Sequence, residues 1–227
     1  MKLILPIFLL LITPILSDSL SELNKKGVNA IYKKEFEKAV SYFQESLKIS
    51  ERDAKANYNL ACTYSLMIQK DFCTNMELID KVFFHLSIAT KEDSYYKSKM
   101  LKDSDLEILK SNYSFYKIAG LSNKEILEKV TWYGPSPGAY GPVDKFIFKA
   151  NGKFIYRKIN LENSTANLEW DEATGTYSWE GEFFWLKFNK SKLNFPQSKQ
   201  KVKFKDGILE VEGFDHRFSD STDPCSA

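Results

Sequence analysis

Two histidines and three cysteines are all that this 227-residue chain has of the side chains that most often hold metals or move protons. It has no HExxH, no G-x-S-x-G, no phosphate loop and no C-x-x-C, so zinc-protease, α/β-hydrolase, P-loop and thiol-redox chemistry lack their residues. His85 reads as a helix-face residue, and His216, in Asp215-His216-Arg217, as a solvated strand end. Glu180 and Glu182 flank a turn glycine and read as solubilising charges. No catalytic residue, cofactor or metal is expected. An excess of one charge is missing too: 32 Lys+Arg stand against 30 Asp+Glu. That balance excludes a basic nucleic-acid face and an acidic tail.

Long apolar runs are absent except at the start, where Lys2 precedes Leu3 to Leu16 and then Ser17-Asp18-Ser19. The run contains Pro6 and Pro14 and is short for a membrane span. The order of charge, apolar run and small residues predicts a signal peptide over residues 1–19, cleaved after Ser17 or Ser19, with an uncleaved anchor as the other reading. The expected location is exported, periplasmic or secreted and bacterial, with no membrane span after cleavage. No Cys lies near the cleavage region, which argues against a lipoprotein. Export lets disulfides persist. Cys62 and Cys73 read either as a bridge or as two buried thiols, while Cys225 falls in an exposed polar tail, residues 221–227, expected to be flexible. Sequons at Asn112, Asn163 and Asn189 matter only in a eukaryotic secretory route.

Periodicity divides the remainder into two domains of about 100 residues, a prior that length alone supports. From 20 to 120 the apolar and small residues keep helical spacing: Leu23, Gly27, Ala30 and Ile31, a break at Lys33-Lys34-Glu35, then Phe36, Ala39, Val40, Phe43 and Leu47. Small Gly27 and Ala39 let two helices approach, with Phe43 in the seam between them. Ala61 follows Gly27 by 34 residues, next to Leu60 and Tyr64, and Val82, Leu86 and Ala89 repeat the spacing of Ala39, Phe43 and Ser46 after a nine-residue insertion around QKDFCTNME. The insertion reads as a surface loop. A degenerate third pair over SYYKSKMLKDSDLEILKSNYSFYKIAG closes the stack. Asp103-x-Asp105 is not a calcium loop, because Ile108 stands where an EF-hand needs Gly and Ser114 where it needs Glu.

The small–small–large seam and the 34-residue period resemble the tetratricopeptide repeat (TPR) family. The chain departs from that pattern where Glu51-Arg52-Asp53 replaces the usual Pro and Ser46 a common Ala. The resemblance implies a concave groove lined by the first helix of each repeat. Its contact candidates are Asn24, Val28, Ile31 and Tyr32, then Lys55, Tyr58, Cys62, Ser65 and Leu66, with Val28 and Ile31 reading equally as interhelix packing. The clamp subtype that grips a chain terminus wants Lys and Asn where this chain has Asn24 and Val28, so it is disfavoured. The implied partner is a protein or peptide laid in the groove.

From 126 to 220 the period becomes two, and all four Trp lie there. Turns at Asn151-Gly152, Glu180-Gly181 and Asp206-Gly207 announce three hairpins, the first expected as a type I′ turn. Phe183 to Phe188 is apolar on both faces and is expected to be central. GPSPGAYGP, residues 134–142, is excluded from regular structure by three Pro and three Gly. The fold class is therefore α+β in two domains: a TPR-like helical stack, then an antiparallel β meander closed as a small barrel or folded as a sandwich. The order of the β motifs is loosely similar to bacterial lipocalin-like domains. That likeness implies an apolar cavity lined by Phe154, Tyr156, Tyr177, Trp179 or Trp185, with the Gly/Pro stretch at its mouth, whereas the residues alone read as a filled core. The expected function is an exported, non-enzymatic interaction scaffold; the alternative is a carrier of a small hydrophobic ligand.

Overall fold

The computed structural model describes residues 12–135, 143–160, 169–193, 195 and 199–220. The start of the expected leader, most of the Gly/Pro stretch, the Asn163 sequon and the tail with Cys225 lie outside them. Two compact units form, Met1–Leu109 and Lys110–Ala227. Among the described residues no helix is long and apolar enough to cross a membrane.

The first unit is helical: α1 (Ile12–Tyr32), α2 (Phe36–Ile49), α3 (Ala54–Lys70), α4 (Phe72–Asn75), α5 (Leu78–Glu92), α6 (Tyr95–Met100) and a 3-10 segment, Ser104–Leu109. α1 ends where the sequence breaks. Lys34 takes a positive φ of 59°, and the Lys34 and Glu35 amides donate to the Ile31 and Ala30 carbonyls, a Schellman motif with lysine in the usual glycine position. Asp53, in place of the proline, caps α3 by accepting from the Ala56 amide at 2.6 Å. α1 packs on α2, α2 on α3 and α3 on α5. The expected seam is present: Ala39 and Phe43 are fully buried, as are Val82, Leu86 and Ala89 at the equivalent places on α5. A Cβ on Gly27 would lie 2.5 Å from the Phe43 ring.

Asn57 joins α3 to α5. Its Nδ2 donates to the carbonyls of Glu51 and Asp53, both at 3.0 Å, which leaves Oδ1 to accept from His85 Nδ1 at 2.8 Å. Burial, with Lys81 adding repulsion, pulls His85 down to about 4. Cys62 is a free, buried thiol, so the Cys62–Cys73 bridge does not form, and Cys73 is not a free thiol because it is disulfide-bonded.

The second unit takes in the last part of the segment expected to close the helical stack. α7 (Tyr113–Ile118) and α8 (Asn123–Leu127) belong to it because Ile126 and Leu127 are fully buried in the β core, with Tyr113, Tyr116 and Leu121 against it. Residues 121–125, LSNKE, start α8, since Ser122 and Glu125 make a capping box. Eight antiparallel strands follow: β1 (Thr131–Tyr133), β2 (Asp144–Lys149), β3 (Lys153–Ile159), β4 (Trp170–Glu180), β5 (Phe183–Phe188), β6 (Gln200–Lys205), β7 (Ile208–Val211) and β8 (Arg217–Ser219). Each pairs with the next, and β1 pairs with β8 at Tyr133–Ser219, closing a barrel and not a sandwich.

All three expected hairpins form, but the turn types differ. Asp206-Gly207 is the two-residue loop with both φ positive, 49° and 76°, as type I′ requires. At Asn151-Gly152 the register pairs Lys149 with Lys153, so Ala150 joins a three-residue loop in which only Gly152 is left-handed. Strand β5 is not buried on both faces. Phe184, Leu186 and Phe188 point inward, while Phe183 and Trp185 lie outside under lysines, with Lys201 Nζ 3.8 Å from the Phe183 ring centre.

Two measurements check the helical unit. Gly27→Ala gains about 1 kcal/mol of helix propensity but forces a methyl against an immobile ring, which costs about 1–3 kcal/mol. Denaturant unfolding is expected to show a net loss, and Phe43→Leu in the same chain to recover part of it. For His85 the unfolded state takes its proton near pH 6.5 and the folded state only near 4. Its contribution is therefore complete above about pH 6.5 and is lost as pH falls toward 4. Unfolding free energies measured across that window are expected to drop by on the order of 1–2 kcal/mol once partial exposure is allowed for. In His85→Gln the slope flattens; equal slopes for both proteins would assign it elsewhere.

Candidate functional site

The structure divides the residues expected in a helical groove into accessible and enclosed. Tyr32 is 83% exposed and Lys55 is exposed, while Val28, Ile31 and Leu66 are half-buried. Asn24 is core: its Nδ2 donates to the Leu20 carbonyl and to Ser46 Oγ. Tyr58, Cys62 and Ser65 are buried too, because the chain's own α6 and 3-10 segment cover that face of α3. Tyr58 stacks on Tyr96 with ring centres 4.5 Å apart and donates to Asp103 at 2.8 Å.

The aromatics expected around a barrel cavity do not surround one. Phe154 and Tyr177 are buried in a filled interior, and the Tyr177 hydroxyl shares its one proton between two acceptors, the Glu128 carboxylate and the Lys149 carbonyl. Trp179 is half-buried against Phe184, on the side of the barrel where α8 lies, with Lys124 over its ring. Trp185 is on the outer face and donates to Glu180. Tyr156 lines a pocket at the barrel end away from α8.

That end holds a pocket of about 610 Å³. Its floor is a buried polar group that begins with Asp144, the first residue of β2 and 1% exposed. The inward register of β2 runs Asp144, Phe146, Phe148, so this carboxylate belongs to the core face. A buried carboxylate needs donors, and two strands supply them: Tyr156 OH donates to Asp144 Oδ2 at 2.7 Å, and His216 Nε2 lies 3.0 Å from the same oxygen. His216 Nδ1 lies 2.8 Å from Asp215 Oδ1, which holds the exposed Asp215 carboxyl below its ordinary value. Burial, then the bond to Asp144, pushes the Tyr156 phenol up. Each imidazole nitrogen thus faces a carboxylate oxygen.

Glycine at 134 makes this cluster possible. A Cβ there would lie 1.8 Å from Asp144 Oδ1 and 3.0 Å from His216 Nε2, so the strand passes directly over the pair. The Gly/Pro stretch therefore begins at this end of the barrel. Opposite, Gln200 opens the inward register Gln200, Val202, Phe204. It is 4% exposed, and its Oε1 has no hydrogen-bond partner among the described residues. Leu193, Phe195 and Phe214 form the apolar wall, with Phe195 and Phe214 ring centres 6.0 Å apart.

Sequence reasoning missed Asp144 and Gln200 and placed His216 in solvent. One signal was present: both polar residues begin strands in the register of buried aromatics. Their convergence with a residue 72 positions from Asp144 was not readable.

Tyr156→Phe removes one donor from a buried carboxylate and is expected to cost about 1–3 kcal/mol in chemical denaturation. Gly134→Ala is expected to cost about 2–3 kcal/mol, because the methyl must part Asp144 from His216 or displace β1. The imidazole NMR signals of His216 should move in the second variant, and unchanged signals at wild-type stability would refute the geometry.

No protein-family model, no curated protein and no solved structure matches this chain, so its functional reading rests on the geometry of its own residues.

Proposed function

We propose that this chain is a binding protein whose barrel receives a small amphipathic molecule at the end away from α8. The observation that carries the reading is Gln200: a buried amide oxygen with no donor among the described residues, beside a pocket of the size small ligands occupy. The ligand has an N–H or O–H for Gln200 and a flat apolar part for Leu193, Phe195 and Phe214. A lipocalin-like carrier would hold its ligand in the barrel body. Here that space is filled with rings, so the ligand sits at the end, against Asp144, Tyr156 and His216.

A second reading concerns the helical unit, which we take as a short TPR-like scaffold for a protein partner. The Gly27–Phe43 seam and its equivalent on α5 support it. Tyr32 and Lys55 are the expected contacts that remain exposed. Both activities suit an exported protein, periplasmic or secreted, and the disulfide at Cys73 supports that compartment.

The full-length chain, followed by thermal unfolding, is the sample for a panel of indoles, aromatic amides, fatty acids and a hydrophobic dye. Ring compounds with a donor are expected to raise Tm. Gln200→Leu is expected to weaken their binding by about tenfold, the worth of one hydrogen bond, and Phe214→Ala to weaken it further, while Trp185→Ala leaves it unchanged. Silence across the panel, or binding indifferent to Gln200 and Phe214, would overturn the ligand reading. For the scaffold reading, capture of a partner that survives Tyr32→Ala with Lys55→Ala would do the same.

A further inference from the structure

Helix α3 presents Tyr58, Cys62, Ser65 and Gln69 at spacings of four, three and four, which puts them on one face. The segment from Asp103 to Leu109 lies along that face. At one end Tyr58 OH donates to Asp103 Oδ2 at 2.8 Å, and at the other Gln69 Nε2 donates to the Asp105 carbonyl at 2.8 Å. Between these two tethers, Cys62 Sγ and one carboxylate oxygen from each of Asp103 and Asp105 lie within 4.8 Å of one another. Ser65, fully buried, stands on the same face between Cys62 and Gln69, and its Oγ has no partner among the described residues.

We propose that Cys62, Asp103 and Asp105 bind a divalent transition-metal ion, Zn²⁺ suiting the donors best, with Ser65 Oγ holding a water in the fourth position. One thiolate with two carboxylates matches a borderline metal in tetrahedral coordination and disfavours Ca²⁺ and Mg²⁺, which take oxygen alone. Ligand atoms around Zn²⁺ stand roughly 3.5 Å apart, given bonds of about 2.0–2.3 Å. The present spacing closes by about 1 Å through the side-chain torsions of two half-exposed aspartates. Asp103 is already oriented: Oδ1 accepts from the Asp105 amide at 3.1 Å and Oδ2 from Tyr58, the supporting bonds that metal-ligating carboxylates use.

Lys99 Nζ lies 4.4 Å from the Tyr58 ring centre. On binding, the thiol proton leaves to solvent and the S–M bond replaces S–H.

Cobalt(II) titration of the full-length chain reads the site directly. One ion per chain is expected, with a thiolate-to-cobalt charge-transfer band that Zn²⁺ abolishes by displacement and Ca²⁺ leaves alone, and Zn²⁺ is expected to raise Tm. Cys62→Ser removes the band; Asp105→Asn, at a half-exposed position, retains the metal-free fold and weakens binding by at least about tenfold; Ser65→Ala weakens it by about tenfold. The absence of the band at equimolar Co²⁺ in folded protein overturns the proposal. So does a band that survives Cys62→Ser, or an affinity that Asp105→Asn leaves unchanged, and the latter decides the matter if the cysteine variant fails to fold.

Discussion

An eight-stranded barrel has an interior just wide enough for side chains, and this one is filled with rings. Phe146 touches six of them: Phe148, Phe154, Tyr156, Phe188, Phe214 and Phe218. Every polar group of the inward register is consequently driven to an end. On the side of α8, Tyr177 finds Glu128 and Trp132 Nε1 donates to the Leu127 carbonyl at 3.0 Å. At the other end Asp144, Tyr156 and His216 satisfy one another, and Gln200 is left with an acceptor to spare. The two ends thus differ in that one is capped by α8 and the other holds an acceptor with no partner among the described residues.

The helical unit is governed by the same requirement that a buried face be covered. The face of α3 that carries Tyr58 is covered by α6, through Tyr96, and by the 3-10 segment. The buried Tyr58 hydroxyl needs an acceptor and finds it in Asp103, and the same segment brings Asp105 beside the buried Cys62 thiol.

Much of this was legible in the sequence because it is local. The break at Lys33-Lys34-Glu35, the seam of Gly27 and Phe43, the three hairpin turns and the alternation of inward rings depend on residues a few positions apart or on the pitch of a helix or strand. The type of each turn was less legible: Asn-Gly suits a two-residue turn, yet the pairing of Lys149 with Lys153 made a three-residue one, since register is settled by what the strands bury. The segment expected to close the helical stack includes α7, whose helical period is real but whose Tyr113 and Tyr116 pack against the barrel core.

By itself, then, the sequence determined the helical and alternating periods, the positions of the hairpin turns, and that the chain makes two folding units. Only tertiary structure decided that the meander closes through Tyr133 and Ser219, that its interior leaves no room for a ligand, and that Asp144 meets His216 and Cys62 meets Asp103 and Asp105. The reason is range. Period and turn chemistry act over a few residues, whereas a buried polar side chain takes its partners from whichever strands or helices packing brings beside it, and nothing local encodes that choice.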